Sequence, residues 1–124
     1  MKKILLFVSV LVVASAFRVQ PFEEVIKALK SGNASQVSQY FDNTLEITLP
    51  DKSSSYNKSQ AEMVLQNFFT TNAVKDFEIL HRSDNAGAQY CIGNLKTTNG
   101  DYRTTIYMKQ KGDKIVLQEL RFEK

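Results

Sequence analysis

Three tight-turn signals, Asp84-Asn85-Ala86-Gly87, Asn99-Gly100 and Gly112-Asp113, constrain this chain more than any other feature. Each separates two strand-like segments rich in β-branched and aromatic residues, so the stretch from Phe77 to the end reads as a four-stranded antiparallel meander. Asn-Gly supplies two residues that tolerate positive φ, as a type I′ hairpin turn requires. A two-residue loop at Asn99-Gly100 sets Leu95 against Thr104, Gly93 against Ile106 and Cys91 against Met108. The same rule at Gly112-Asp113 sets Met108 against Leu117 and Ile106 against Glu119. At the looser first turn, Ile79 meets Cys91 and Phe77 lies across Gly93, where an aromatic ring covers the surface a strand glycine leaves bare.

Strict alternation then sorts the side chains. A core face carries Phe77, Ile79, His81, Cys91, Leu95, Tyr102, Thr104, Ile106, Met108, Leu117, Glu119 and Arg121. The other face carries Tyr90, Ile92, Tyr107, Leu120 and Phe122 among polar residues, an apolar patch large enough to predict a homodimer.

The segments before the meander supply its cover. Pro21 opens a helix with Phe22, Val25, Ile26 and Leu29 at helical spacing, and Ser31-Gly32-Asn33 stops it. A short helix over Ala34 to Phe41 follows. Leu45, Ile47 and Leu49 then alternate as a half-buried strand ended by Pro50, and Asp51 to Tyr56 reads as a loop or short edge strand. Ser59 with Glu62 predicts a capping box, ahead of a core stripe of Ala61, Val64, Leu65, Phe68 and Phe69.

The N-terminus reads as an export signal. Met1-Lys2-Lys3 is basic, Ile4 to Val13 is apolar, and Ala14-Ser15-Ala16 is a small-x-small cleavage site. The expected division is a signal peptide over 1–16 and one domain over 17–124, periplasmic or secreted. No cysteine follows the apolar run, which closes the lipoprotein route. Cleavage removes Lys2 and Lys3 from a chain of 16 basic and 13 acidic residues, so the mature domain is close to neutral and carries no nucleic-acid patch. The lone Cys91 forbids an internal disulfide and reads as a small buried apolar residue.

Ala28-Leu29-Lys30-Ser31-Gly32-Asn33, then Val37 and Tyr40-Phe41, looks like the break between the first two helices of the nuclear-transport-factor-2-like, or cystatin-like, superfamily. Leu45-Glu46-Ile47 looks like the strand after it. The resemblance covers about residues 20 to 123, and the chain is similar to small exported bacterial members with no assigned function. It implies an α+β fold, with a strongly curved antiparallel sheet wrapped around N-terminal helices as a cone. It also implies that the outer sheet face often dimerises and that the open end can hold a ligand. Members include isomerases, dehydratases and non-catalytic binding domains, so the fold does not choose the function.

An isomerase-like member needs a carboxylate base and a proton donor converging in the cone. The core-face candidates are His81, Glu119, Tyr102 and Arg121. In the expected register His81 and Glu119 stand on the order of 20 Å apart in a flat sheet, far beyond hydrogen-bond reach. One histidine and one cysteine do not make a zinc site, and no phosphate loop or dinucleotide fingerprint is present, so no cofactor is expected. Tyr102, Thr104, Glu119 and Arg121 remain as candidate ligand-binding residues at one end of the core face. The reading is a non-catalytic binding or assembly domain that meets a second copy, a small ligand or an envelope protein. The alternative is a small-molecule enzyme with Glu119 or His81 as base and Tyr102 as proton donor.

Overall fold

The structure, a computed structural model, describes residues 20–124. The expected signal peptide over 1–16 lies outside the described residues. Three helices precede or interrupt six strands: α1 (Pro21–Ser31), α2 (Ala34–Ser38), β1 (Phe41–Leu49), β2 (Lys52–Asn57), α3 (Lys58–Thr71), β3 (Val74–Asn85), β4 (Ala88–Thr97), β5 (Gly100–Lys111) and β6 (Lys114–Glu123). The strands form one sheet in the order β2-β1-β6-β5-β4-β3. Every neighbouring pair is antiparallel except β1 with β6, which run parallel. The fold is therefore α+β, a curved and mostly antiparallel sheet folded around N-terminal helices.

The helix boundaries follow local chemistry. Pro21 occupies the first turn of α1, and Glu23 and Glu24 stand where the helix dipole favours negative charge. The amides of Gly32 and Asn33 return to the carbonyls of Leu29 and Ala28, which closes the helix. The capping box of α3 starts two residues before the expected one. Asn57 accepts from the Gln60 amide at 2.9 Å, and the Gln60 side chain accepts from the Asn57 amide at 3.3 Å. Asn57 caps better than Ser59 because it already ends β2, with the extended backbone an N-cap needs. Lys52–Asn57 forms a true edge strand, and β1 begins at Phe41, earlier than expected.

The core lies between the helices and the concave sheet face. Phe22, Val25, Leu29, Val37, Leu65, Phe68 and Phe69 meet Leu45, Ile47, Leu95, Ile106, Met108 and Leu117, all buried. Phe77 rests on Gly93 as expected, although the residue registered opposite is Ile79; a Cβ at Gly93 would clash with the Phe77 ring and stand 2.7 Å from the Glu78 carbonyl.

Two departures from simple alternation shape the sheet. The β4–β5 hairpin pairs Thr97 with Gly100, so Leu95 faces Tyr102 and Cys91 faces Ile106. Thr98 and Asn99 form the loop, and only Gly100 has positive φ, at 103°. The turn slides because Asn99 uses its side chain elsewhere, on the end of α3. A slide of two residues leaves each side chain on its expected face.

The β5–β6 hairpin starts in the expected register, with Met108 opposite Leu117, but then bulges: Tyr107 faces Glu119 and Ile106 faces Leu120, which leaves Gln118 as an extra residue. One extra residue reverses every later side chain. Leu120 and Phe122, expected on the outer face, are 0% exposed in the core. Glu119 and Arg121, expected inside, lie half-buried outside. Leu80 makes a similar irregularity in β3 and moves His81 to the outer face beside Tyr90, with ring centroids 5.6 Å apart.

Candidate functional site

Of the four residues expected to gather at the mouth of the cone, only two point into it. Tyr102 and Thr104 are buried on the concave face, 6% and 0% exposed, whereas the Gln118 bulge carries Glu119 and Arg121 to the opposite side of the sheet. The expected constellation is not brought together. The spacing Leu117, Leu120, Phe122 was the available signal, since a gap of three followed by a gap of two breaks a strand's period.

The concave interior is filled with rings. Phe68 stacks on Phe122 at 4.4 Å between centroids and meets the edge of Tyr102 at 5.1 Å, while Phe69 stands edge-on to Phe122 at 6.3 Å. These spacings suit attractive aromatic pairs and leave no cleft among them. The Tyr102 hydroxyl is committed: it donates to Asn72 Oδ1 at 2.9 Å. Asn72, 6% exposed at the end of α3, uses its own Nδ2 on the Phe68 carbonyl at 3.0 Å.

Asn99 completes this clasp. Its Nδ2 donates to the Thr71 carbonyl at 2.7 Å and to Asn72 Oδ1 at 3.2 Å, and its carbonyl accepts from Lys124 Nζ at 3.0 Å. Lys124 also lies over the Tyr102 ring, 4.7 Å from its centre. The Thr104 hydroxyl donates to the Tyr102 carbonyl at 3.1 Å. Tyr102 thus ties the helix end to the sheet, while Thr104 bonds within β5.

The acid–base candidates stand apart. His81 and Glu119 are on the outer face and Tyr102 is inside, so a base and a proton donor do not share a cavity. Burial pushes the Cys91 thiol up to about 11, so it stays protonated and unreactive at neutral pH. Among the described residues no three His, Cys, Asp or Glu side chains converge to hold a metal ion.

The outer face carries what remains of the expected patch. Tyr90 and Tyr107 are direct cross-strand neighbours, as are Ile92 and Thr105, all half-buried. Leu120 and Phe122 no longer belong to it. Around the tyrosines the charges are unevenly compensated. Glu46 and Glu119 lie side by side on the parallel pair β1 and β6. Arg121 reaches Glu123 only at 3.6 Å, and its buried Nε has no hydrogen-bond partner among the described residues.

At the far end of β5 and β6 the arrangement differs again. The register of β1 against β6 breaks between Phe41 and Glu46, and Asp42 fills the gap. Its carboxylate accepts from Lys111 at 3.1 and 3.2 Å and from Gln118 at 3.0 Å. Burial alone would raise the Asp42 pKa, but the hydrogen bonds from Gln118, Lys111 and the Asn43 amide, with the lysine's charge, hold it below the usual value.

The comparisons with known proteins agree with this architecture. Residues 22–123 match the family described as "Domain of unknown function (DUF4783)". The crystal structure of a DUF4783 family protein from Bacteroides ovatus is 29% identical, with a TM-score of 0.77 over 82% of this chain and 92% of that one. Its counterpart from Bacteroides uniformis is 28% identical, with a TM-score of 0.79 over 82% and 94%. An NTF2-like protein of unknown function from Cytophaga hutchinsonii shares the fold at 8% identity, with a TM-score of 0.61 over 86% and 91%. No curated protein matches the chain. With the profile spanning nearly all the described residues and the same helices and curved sheet in its relatives, the chain belongs to the DUF4783 family and has an NTF2-like fold.

Proposed function

We propose that this protein is a non-catalytic binding or assembly domain that works outside the cytoplasm and associates through its outer sheet face with a second copy of itself. One observation carries the non-catalytic reading: Tyr102, the sole candidate proton donor, is locked inside an aromatic core, while the candidate bases Glu119 and His81 face away from it. A cavity lined by both is what proton transfer would require.

The charge pattern around Tyr90 and Tyr107 favours a second copy. The face holds acidic Glu46 and Glu119 close to basic Arg103 and Arg121. A two-fold partner sets each arginine against the other copy's carboxylates and covers Tyr90, Ile92 and Tyr107. Sedimentation at micromolar concentration tests the association. A wild-type dimer that Tyr107→Glu converts to a folded monomer supports it, and a wild-type monomer overturns it. Leu120 is no longer a useful control, since it belongs to the core. The basic-apolar-small pattern at residues 1–16 supports export, and mass spectrometry of the exported protein tests it: a first residue of Phe17 is expected, and an intact Met1 contradicts it.

A further inference from the structure

Two placements of positive charge run against the stability of the fold, and they converge on one groove. Lys58 is the first residue of α3, which has no acidic residue in its first turn, so a cation sits at the positive end of the helix dipole. Lys111 and Lys114 face each other as the closing pair of the β5–β6 turn, where like charges directly opposed repel. Asp42 compensates Lys111 alone. Among the described residues, neither Lys58 nor Lys114 forms an ion pair. Residues 1–19 contain no Asp or Glu to supply one.

The three lysines line a depression of about 190 Å³ together with Phe41, Asp42, Asn43 and Val116. It shares Phe41, Lys58, Lys114 and Val116 with a larger groove of about 550 Å³, which adds Tyr40, Ile115 and Pro21 on its apolar side and Asp113 at its rim. Uncompensated cations therefore stand at one end of a partly apolar trough.

We infer that this groove binds a small soluble amphipathic anion, its phosphate or carboxylate head held by Lys58 and Lys114 and its apolar body lying along Tyr40, Ile115 and Val116. An anion there relieves the repulsion between Lys111 and Lys114 and offsets the charge of Lys58 against the dipole. The apolar body covers surface that the cone does not use.

Hexyl phosphate is a suitable probe, followed through the amide signals of the full exported chain. Saturable shifts at Lys58, Lys114, Tyr40 and Val116 are expected, weakening with added salt. Inorganic phosphate should move the lysine signals at higher concentration and leave Tyr40 still. Lys58→Glu with Lys114→Glu should weaken hexyl phosphate by roughly tenfold or more, while Lys75→Glu, on the far edge strand, leaves it unchanged. These lysines are exposed, and a cooperative melting transition at or above the wild-type temperature shows that the double variant is folded. No saturable shift, or equal binding by the double variant, overturns the inference. So does lysine-dependent co-sedimentation with phosphatidylglycerol vesicles without binding of hexyl phosphate, which assigns the groove to a membrane surface instead.

Discussion

The two ends of the β5 hairpins are built on opposite principles. At the β4–β5 end, Asn72, Asn99, Tyr102 and Lys124 satisfy one another, and every donor is aimed at an acceptor of the helix end or the turn. At the β5–β6 end, Lys111 faces Lys114 and Lys58 stands against a helix dipole. One end holds α3 to the sheet; the other gives up electrostatic stability for a patch of available charge. Buried polar groups with complete partners rigidify a fold, whereas charges left uncompensated at an exposed end cost little and remain free to meet a ligand.

That contrast predicts a gradient of mutational effects. The largest belongs to the aromatic plug beneath the clasp. Phe122→Ala should destabilise by about 3–5 kcal/mol in urea unfolding, and its neighbour Arg121→Ala by less than about 0.5 kcal/mol. Similar losses for the two would dissolve the distinction between the faces. Next comes the clasp itself. Asn72→Ala removes the acceptor of Tyr102 and should cost about 1–3 kcal/mol, with Tyr102→Phe costing less because Asn72 keeps Asn99.

Asp42 joins the two regimes, as a buried carboxylate next to the lysine end. Its pKa lies below the unfolded value, so its contribution is complete above the unfolded pKa and disappears as pH falls through the folded one. Asp42→Asn should therefore flatten the acid side of the stability profile while lowering stability at neutral pH. A variant with the wild-type acid slope would remove Asp42 from that account. The smallest effect has the opposite sign. Lys58→Glu should stabilise by about 0.3–1 kcal/mol, because an acidic residue then occupies the first turn of α3. Clear destabilisation would mean that Lys58 belongs to the structural end after all.

How much of this the sequence discloses depends on how many residues a strand slips. The three turns, the helical stripes of α1 and α3 and the α+β class all follow from periodicity. The β4–β5 pairing slipped by two residues and cost nothing, since Cys91, Leu95, Tyr102 and Ile106 kept their faces. The bulge at Gln118 added a single residue and reversed Glu119, Leu120, Arg121 and Phe122, which removed half of the expected ligand site and two anchors of the expected outer patch. A bulge depends on tertiary contacts, here Asp42 drawing on Gln118 across the break in β1, and no turn signal announces it. The lysine groove joins residues from three distant segments, yet its Lys111–Lys114 pair follows directly from the Gly112-Asp113 register.

The reversal at Gln118 underlies the ring packing around Phe122 and the outer face alike, and single-cysteine labelling tests it most directly. Cys91 is buried with a raised pKa and serves as a silent background. In the Tyr107→Glu background, where no second copy covers the outer face, Glu119→Cys and Arg121→Cys should react with a maleimide at the rate of an exposed thiol. Phe122→Cys should react only at the rate of unfolding. Fast labelling at 122 with protection at 119 and 121 would contradict the bulge and return Glu119 and Arg121 to the interior.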